Sequence, residues 1–76
     1  MKAYMFINAM RGQSIGLTKA IRDVAGVTGA DAITGDYDLV ASVEARDLAE
    51  LRSTMADVQA LDGVLKTTTC MVLSDS

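Results

Sequence analysis

The chain has 76 residues, of which 50% are hydrophobic but only 4% aromatic, and its formal net charge is −3 at pH 7. This length allows one domain, residues 1–76, near the lower limit for a self-sufficient core, and the acidic balance argues against binding to a nucleic-acid backbone. The absence of His removes the commonest general base and transition-metal ligand, and no apolar run approaches the roughly 18 residues of a membrane span.

The first half of the chain predicts a strand, a helix and a second strand. Residues from about 2 to 9 are mostly apolar and rich in Tyr, Phe and Ile, which favours a buried strand. Apolar residues then recur at the spacing of one helix face: Leu17, Ala20, Ile21 and Val24. Ser14 is the expected N-cap, and Gly26 the residue that ends this helix. Residues from about 27 to 34 predict the second strand.

The second half repeats this order. Residues from about 38 to 45 predict a third strand, and Asp47 followed by Glu50 is typical of the capping box that begins a helix. That helix carries an apolar face and ends at Gly63; the face consists of Leu48, Leu51, Met55 and Val58. Residues 65–73 include three consecutive threonines and predict a long fourth strand.

The two halves repeat with a period of about 37 residues and give the order βαββαβ. This order predicts a ferredoxin-like α+β fold, in which a four-stranded antiparallel sheet carries two helices on one face. On the other face we expect Tyr4 and Phe6 from strand 1 and Val40 from strand 3. Such a face is too apolar to be solvated, so we expect dimerisation through the sheet to form a dimeric α/β barrel.

Polar chemistry is most concentrated where strands 2 and 3 join. Gly35 adopts a positive φ at little cost, and Asp36 and Asp38 tolerate turn geometry. We therefore expect a hairpin that places two carboxylates and the phenol of Tyr37 at one rim of the sheet. Carboxylates and backbone amides at one turn suit the ammonium and carboxylate groups of a free amino acid, with a hydroxyl added by a threonine of strand 4.

The residues give little support to catalysis. Asp36 and Asp38 lack the apolar enclosure that acid–base chemistry needs, and the threonines of strand 4 have no adjacent base; for Thr68 in particular, β-propensity is the preferred explanation. No ligand set converges on a metal. The sole cysteine, Cys70, excludes an internal disulfide, which fits a reducing, cytoplasmic location. We expect no catalytic residue, no metal and no cofactor.

A series of short motifs spans the chain: Ile7-Asn8, Gly12, Gly26-Val27, Thr34 to Val40, Asp47-Leu48 with Leu51, Gly63-Val64, and Thr67 with Thr69. In this order they resemble the ligand-sensing domain of Lrp/AsnC transcriptional regulators, the RAM domain. The resemblance implies sheet-mediated homodimers, often four in a ring, that bind small effectors, chiefly amino acids. It also implies which residues bind the effector: Gly35, Asp36, Tyr37, Asp38, Thr67 and Thr69.

One departure from the family bears on function. The chain starts directly at strand 1, so we expect a stand-alone module with no helix-turn-helix domain and no direct contact with nucleic acid. Its effect on transcription would come through assembly with a DNA-binding relative. Two alternatives remain open: a small dimeric α/β-barrel enzyme that depends on Asp36 and Asp38, and a purely structural oligomerisation module.

Overall fold

The computed structural model describes residues 1–74, which form four strands and two helices. In chain order these are β1 (Lys2–Ala9), α1 (Ser14–Arg22), β2 (Val27–Ala32), β3 (Leu39–Glu44), α2 (Leu48–Gln59) and β4 (Val64–Met71). The strands pair antiparallel in the order β2-β3-β1-β4. The ferredoxin-like βαββαβ arrangement predicted from the sequence is therefore confirmed.

Helices α1 and α2 cover one face of the sheet, and the core lies between them and the strands. Along β1, alternate residues Ala3, Met5 and Ile7 are fully buried, as the period of two along a strand requires. The largest fully buried side chains come from both helices and the two central strands: Met5, Ile7, Ile21, Leu39, Leu51, Val43 and Val58. Each such side chain contributes about 1.5–3 kcal/mol by leaving water, so this layer holds the helices to the sheet.

The opposite face of the sheet carries no helix in the described part of the chain, and we call it the open face. It presents Tyr4, Phe6, Val40, Thr68 and Cys70, which the strand registers place side by side. Tyr4 is 37% exposed and the Phe6 and Val40 side chains are half-buried. The predicted division of β1 between a helix-covered face and an uncovered apolar face is thus confirmed.

Both helices end earlier than their glycine motifs indicated. Helix α1 ends at Arg22 and α2 at Gln59, whereas Gly26 and Gly63 lie immediately before the following strands with φ of 95° and 97°. A tight turn fills each gap, and in the first the Val27 N–H donates to the Val24 carbonyl at 3.1 Å. The prediction that these glycines end the helices was wrong by about one helical turn.

The two helix N-termini differ. Asp47 caps α2 as predicted, because its side chain accepts a hydrogen bond from the Glu50 N–H at 2.9 Å. The prediction of Ser14 as the N-cap of α1 was wrong: Ser14 is already helical, and Gln13 occupies the cap position without a side-chain bond. The reason is that the Leu17 N–H donates to the Gln13 carbonyl at 2.9 Å, which begins the helix one residue earlier.

Candidate functional site

The connection between β2 and β3 comprises residues 33–38, which we call the 33–38 loop. Strand β2 ends at Ala32, two residues before its predicted end, so the connection is longer than the expected hairpin turn. The Ile33 N–H donates to the Asp38 carbonyl at 2.9 Å, and the Asp38 N–H donates to the Ile7 carbonyl at 2.9 Å. These two bonds close the base of the loop and join it to the end of β1.

Asp38 anchors the loop with its side chain as well. Its Oδ2 accepts a hydrogen bond from the Ala9 N–H at 2.8 Å, at the point where the pairing of β1 with β4 shifts register. A carboxylate that accepts from a backbone amide makes a stronger bond than a neutral acceptor. One oxygen of this half-buried carboxylate is therefore engaged in holding the loop.

The tip of the loop is open to solvent. Gly35 has φ of 110°, a conformation that residues with a Cβ rarely adopt, so the turn requires glycine at this position. Nothing lies within 4 Å of the position that a Cβ on Gly35 would take. Asp36 is also exposed. The tip thus presents a carboxylate and backbone groups on a base that is fixed to β1.

Tyr37 lies on the open face. Its hydroxyl donates to Thr68 Oγ1 at 3.2 Å, and its ring centroid is 5.4 Å from that of Phe6 at an interplanar angle of 45°. Tilted aromatic pairs at this distance are favourable. With Tyr37 included, the three aromatic residues of the chain all belong to the open face.

Thr67 and Thr69 lie on the helix-covered face, because they pair with Ile7 and Met5 in the register of β1 with β4. Thr67 Oγ1 accepts a hydrogen bond from Gln59 Nε2 of α2 at 3.0 Å. Thr69 Oγ1 is buried and has no hydrogen-bond partner among the described residues. The structure therefore separates the expected effector-binding residues into two groups, with the loop residues in one and these two threonines in the other.

From the sequence, Thr68 was explained by the preference of threonine for strands and was given no binding role. In the structure it is the threonine that contacts the loop. Alternation along β4 carries the relevant signal, since it places Thr67 and Thr69 on one face and Thr68 on the other. Choosing between the faces also requires knowing which face Tyr37 reaches. That contact joins residues 31 positions apart, so local sequence does not reveal it.

A surface depression of about 370 Å³ lies elsewhere, between the start of α1 and the turn before β4. Its lining includes Gly12, Gln13 and Asp62 and none of the loop residues. Among residues 1–74, no three His, Cys, Asp or Glu side chains lie close enough together to hold a metal ion. Neither α1 nor α2 is long and apolar enough to cross a membrane.

Known proteins share both the sequence pattern and the fold. Residues 2–76 match the family model described as the Lrp/AsnC ligand binding domain. A stretch of 57 residues, 75% of this chain, is 37% identical to part of a homocitrate synthase from Sulfurisphaera tokodaii and covers 12% of it. A stretch of equal length is 33% identical to the HTH-type transcriptional regulator LysM of the same organism and covers 41% of it. The matched stretch is therefore less than half of either relative.

Three solved structures illustrate the fold. TTHA0845 from Thermus thermophilus has a TM-score of 0.91 and 29% identity, over 99% of this chain and 95% of that one. AsnC from E. coli has a TM-score of 0.89 and 21% identity, over 97% of this chain and 51% of that one. The regulator NMB0573 from Neisseria meningitidis, solved as a complex with L-Met, has a TM-score of 0.81 and 18% identity, over 97% of this chain and 50% of that one.

Proposed function

This chain belongs to the Lrp/AsnC ligand-binding domain family, and we propose that it is a non-enzymatic module that binds an amino acid or a similar small metabolite. The observation that carries this proposal is the 33–38 loop, whose base is fixed to β1 while its tip is exposed. A rigid scaffold that presents polar groups on a loop is the usual arrangement of a binding site.

The chemistry of the loop suits a zwitterion. The exposed Asp36 carboxylate is an acceptor for an ammonium group, and the backbone N–H groups around Gly35 are donors for a carboxylate. Within residues 1–74, no backbone hydrogen bond outside the helices and strands involves residues 34–37. We assign effector contacts to four loop residues: Gly35, Asp36, Tyr37 and Asp38. Of these, Asp38 also fixes the loop to β1.

Thr67 and Thr69 form the second part of the proposed site. Their hydroxyls lie on the helix-covered face, so an effector reaches them only if it approaches beside α2. The unpartnered Thr69 hydroxyl supports this assignment, because a buried polar group without a hydrogen bond is costly and gains from a ligand that supplies one. Substitutions made separately in the loop and at these two threonines would measure how much each contributes to effector binding.

The relatives support a sensing role. One similar structure is a regulator in complex with L-Met, which shows that this fold holds an amino acid in that protein. A second relative is named a transcriptional regulator. The match to homocitrate synthase covers only 12% of that enzyme, so it does not carry the enzyme's reaction to this chain. We infer a role in transcription regulation, in the cytoplasm, exerted through assembly with a DNA-binding partner.

The open face supports self-assembly. Tyr4, Phe6 and Val40 form an apolar strip that one protomer leaves partly exposed, and a second copy of the same face would cover it. We propose a homodimer that forms through this face, with further association of dimers into a ring of four. Residues from two dimers would then complete each effector site.

A thermal-shift panel of the twenty amino acids at millimolar concentration tests the proposal. A ligand present at about 100 times its Kd stabilises the folded state by about 2.7 kcal/mol, which raises the melting temperature measurably. We expect one or a few selective hits, with L-methionine tested first. Asp36→Asn and Thr67→Val should reduce the shift, while Asp57→Asn, an exposed aspartate on α2, should retain it. A flat panel would instead favour a purely structural module.

A further inference from the structure

The side chain of Tyr37 crosses the open face from one strand to another. Its backbone precedes β3, which lies on one side of β1, whereas its hydrogen-bond acceptor Thr68 belongs to β4 on the other side. Phe6 of β1 pairs with Thr68 in the strand register and contacts the Tyr37 ring. One side chain of the 33–38 loop therefore contacts two strands, β1 and β4.

The two Tyr37 contacts hold the middle of the loop, between the bonds at its base. The bonds at the base of the loop all involve its two end residues, Ile33 and Asp38. Among the hydrogen bonds and ring contacts of the described residues, the only two made by the residues between these ends both come from Tyr37. The position of the Gly35-Asp36 tip therefore depends on where the Tyr37 ring is fixed.

We propose that Thr68 is a positioning residue for effector binding, which acts through Tyr37 to hold the loop tip in its binding conformation. The proposal rests on the function proposed above. Thr68 contacts the hydroxyl of Tyr37, which is the end of that side chain farthest from the loop backbone. Its effect on binding therefore passes through the Tyr37 hydroxyl. The bond is long at 3.2 Å, and the ring contact with Phe6 supports it by limiting the positions open to the ring.

Three variants separate the hydroxyl from the shape of the side chain. Thr68→Val removes the acceptor and keeps the branched shape, Thr68→Ser keeps the hydroxyl, and Tyr37→Phe removes the donor. We expect Thr68→Val and Tyr37→Phe each to weaken binding of the best amino acid from the panel about five-fold, the size of one neutral hydrogen bond. The double variant, Thr68→Val with Tyr37→Phe, should bind no more weakly than either single variant, because both substitutions remove the same hydrogen bond. Thr68→Ser should bind like the wild type.

The matched control is Thr28→Val, which removes a hydroxyl that bonds the Ser42 hydroxyl at 2.8 Å, away from the loop. The ¹⁵N heteronuclear NOE of the loop amides, measured without any ligand, supplies an independent readout of loop motion. Thr68→Val should lower the NOE at residues 34–37 and leave β2 unchanged, whereas Thr28→Val should leave the loop unchanged.

The outcomes separate this inference from the proposed function. If the wild type binds an amino acid and Thr68→Val binds it equally well, the positioning role is wrong and the effector site stands. If no amino acid binds, the proposed function fails, and the heteronuclear NOE still decides whether Thr68 fixes the loop. Equal NOE values at residues 34–37 in wild type and Thr68→Val would overturn the inference in either case.

Discussion

Asp38 Oδ2 accepts a hydrogen bond from the Ala9 N–H at 2.8 Å, which ties the 33–38 loop to the end of β1 across 29 positions of sequence. The two carboxylates of the loop therefore differ in role, since Asp36 is exposed at the tip and Asp38 is built into its base. The loop is both attached to the sheet and open to a ligand because of this difference.

Replacing the anchoring carboxylate should destabilise the fold. Asp38→Ala leaves the Ala9 amide without its charged acceptor, and we expect a loss of about 1.5–3 kcal/mol in the free energy of unfolding measured with urea. Asp36→Ala is the matched control and should change stability by less than about 0.5 kcal/mol. Equal losses in the two variants would contradict the anchoring role of Asp38.

Gly26 should tolerate alanine less well than another glycine of positive φ. A Cβ on Gly26 would collide with the Thr54 side chain, whereas one on Gly12, with φ of 79°, meets nothing within 4 Å. Both substitutions cost about 1–2 kcal/mol for the left-handed backbone, and only Gly26→Ala adds a clash inside the core. The melting temperature of Gly26→Ala should therefore be lower than that of Gly12→Ala. The reverse order would refute the close packing of Gly26 on Thr54.

The two helix N-termini should respond differently to truncation. Asp47→Ala removes the side-chain acceptor for the Glu50 N–H and should cost about 1 kcal/mol. Gln13→Ala, at the equivalent position of α1, removes no capping bond and should cost much less. Urea unfolding of both variants makes the comparison, and a similar loss for Gln13 would show that α1 is capped by that side chain.

Glu50 makes stability depend on pH in a defined direction. The Arg46 backbone N–H and then the Arg46 guanidinium bond this carboxylate, which holds its pKa below the ordinary 4.5. Its contribution to stability is therefore complete above pH 4.5 and is lost as pH falls through the lower pKa of the folded state. NMR titration of the Glu50 carboxyl should give a lower midpoint in the wild type than in Arg46→Ala.

Self-association should depend on the open face. Tyr4→Glu places a charge on the open face, the proposed dimer interface, and we expect sedimentation velocity to show dissociation while circular dichroism stays unchanged. Ile15→Glu changes a side chain that is 74% exposed on α1, outside that face, and should leave the dimer intact. A dimer retained in Tyr4→Glu would contradict assembly through the sheet.

The sequence was sufficient to predict the fold because its signals are local. Alternation in β1, the helical spacing of Leu17 and Ile21, and the Asp47 cap each lie within a few residues, and the structure confirms all three. The helix ends were less accurate. A glycine in the turn before a strand and one that ends a helix look alike in sequence, as Gly26 illustrates.

The candidate site was only partly predictable for the same reason. The positive φ of Gly35 follows from a local turn signal. The contacts that distinguish Asp38 from Asp36, and Thr68 from its neighbours, join residues 29 and 31 positions apart. Such contacts depend on strand order and on which face a loop side chain reaches, and composition or periodicity does not encode either.

Binding of a small effector at the 33–38 loop can be tested by an NMR titration of ¹⁵N-labelled protein. Each amino acid, beginning with L-methionine, is added at millimolar concentration while the amide signals are followed. We expect saturable shifts at Gly35, Asp36 and Tyr37 for one or a few amino acids. Saturable shifts confined to the depression lined by Gly12 and Asp62, or no shifts with any of the twenty, would contradict it.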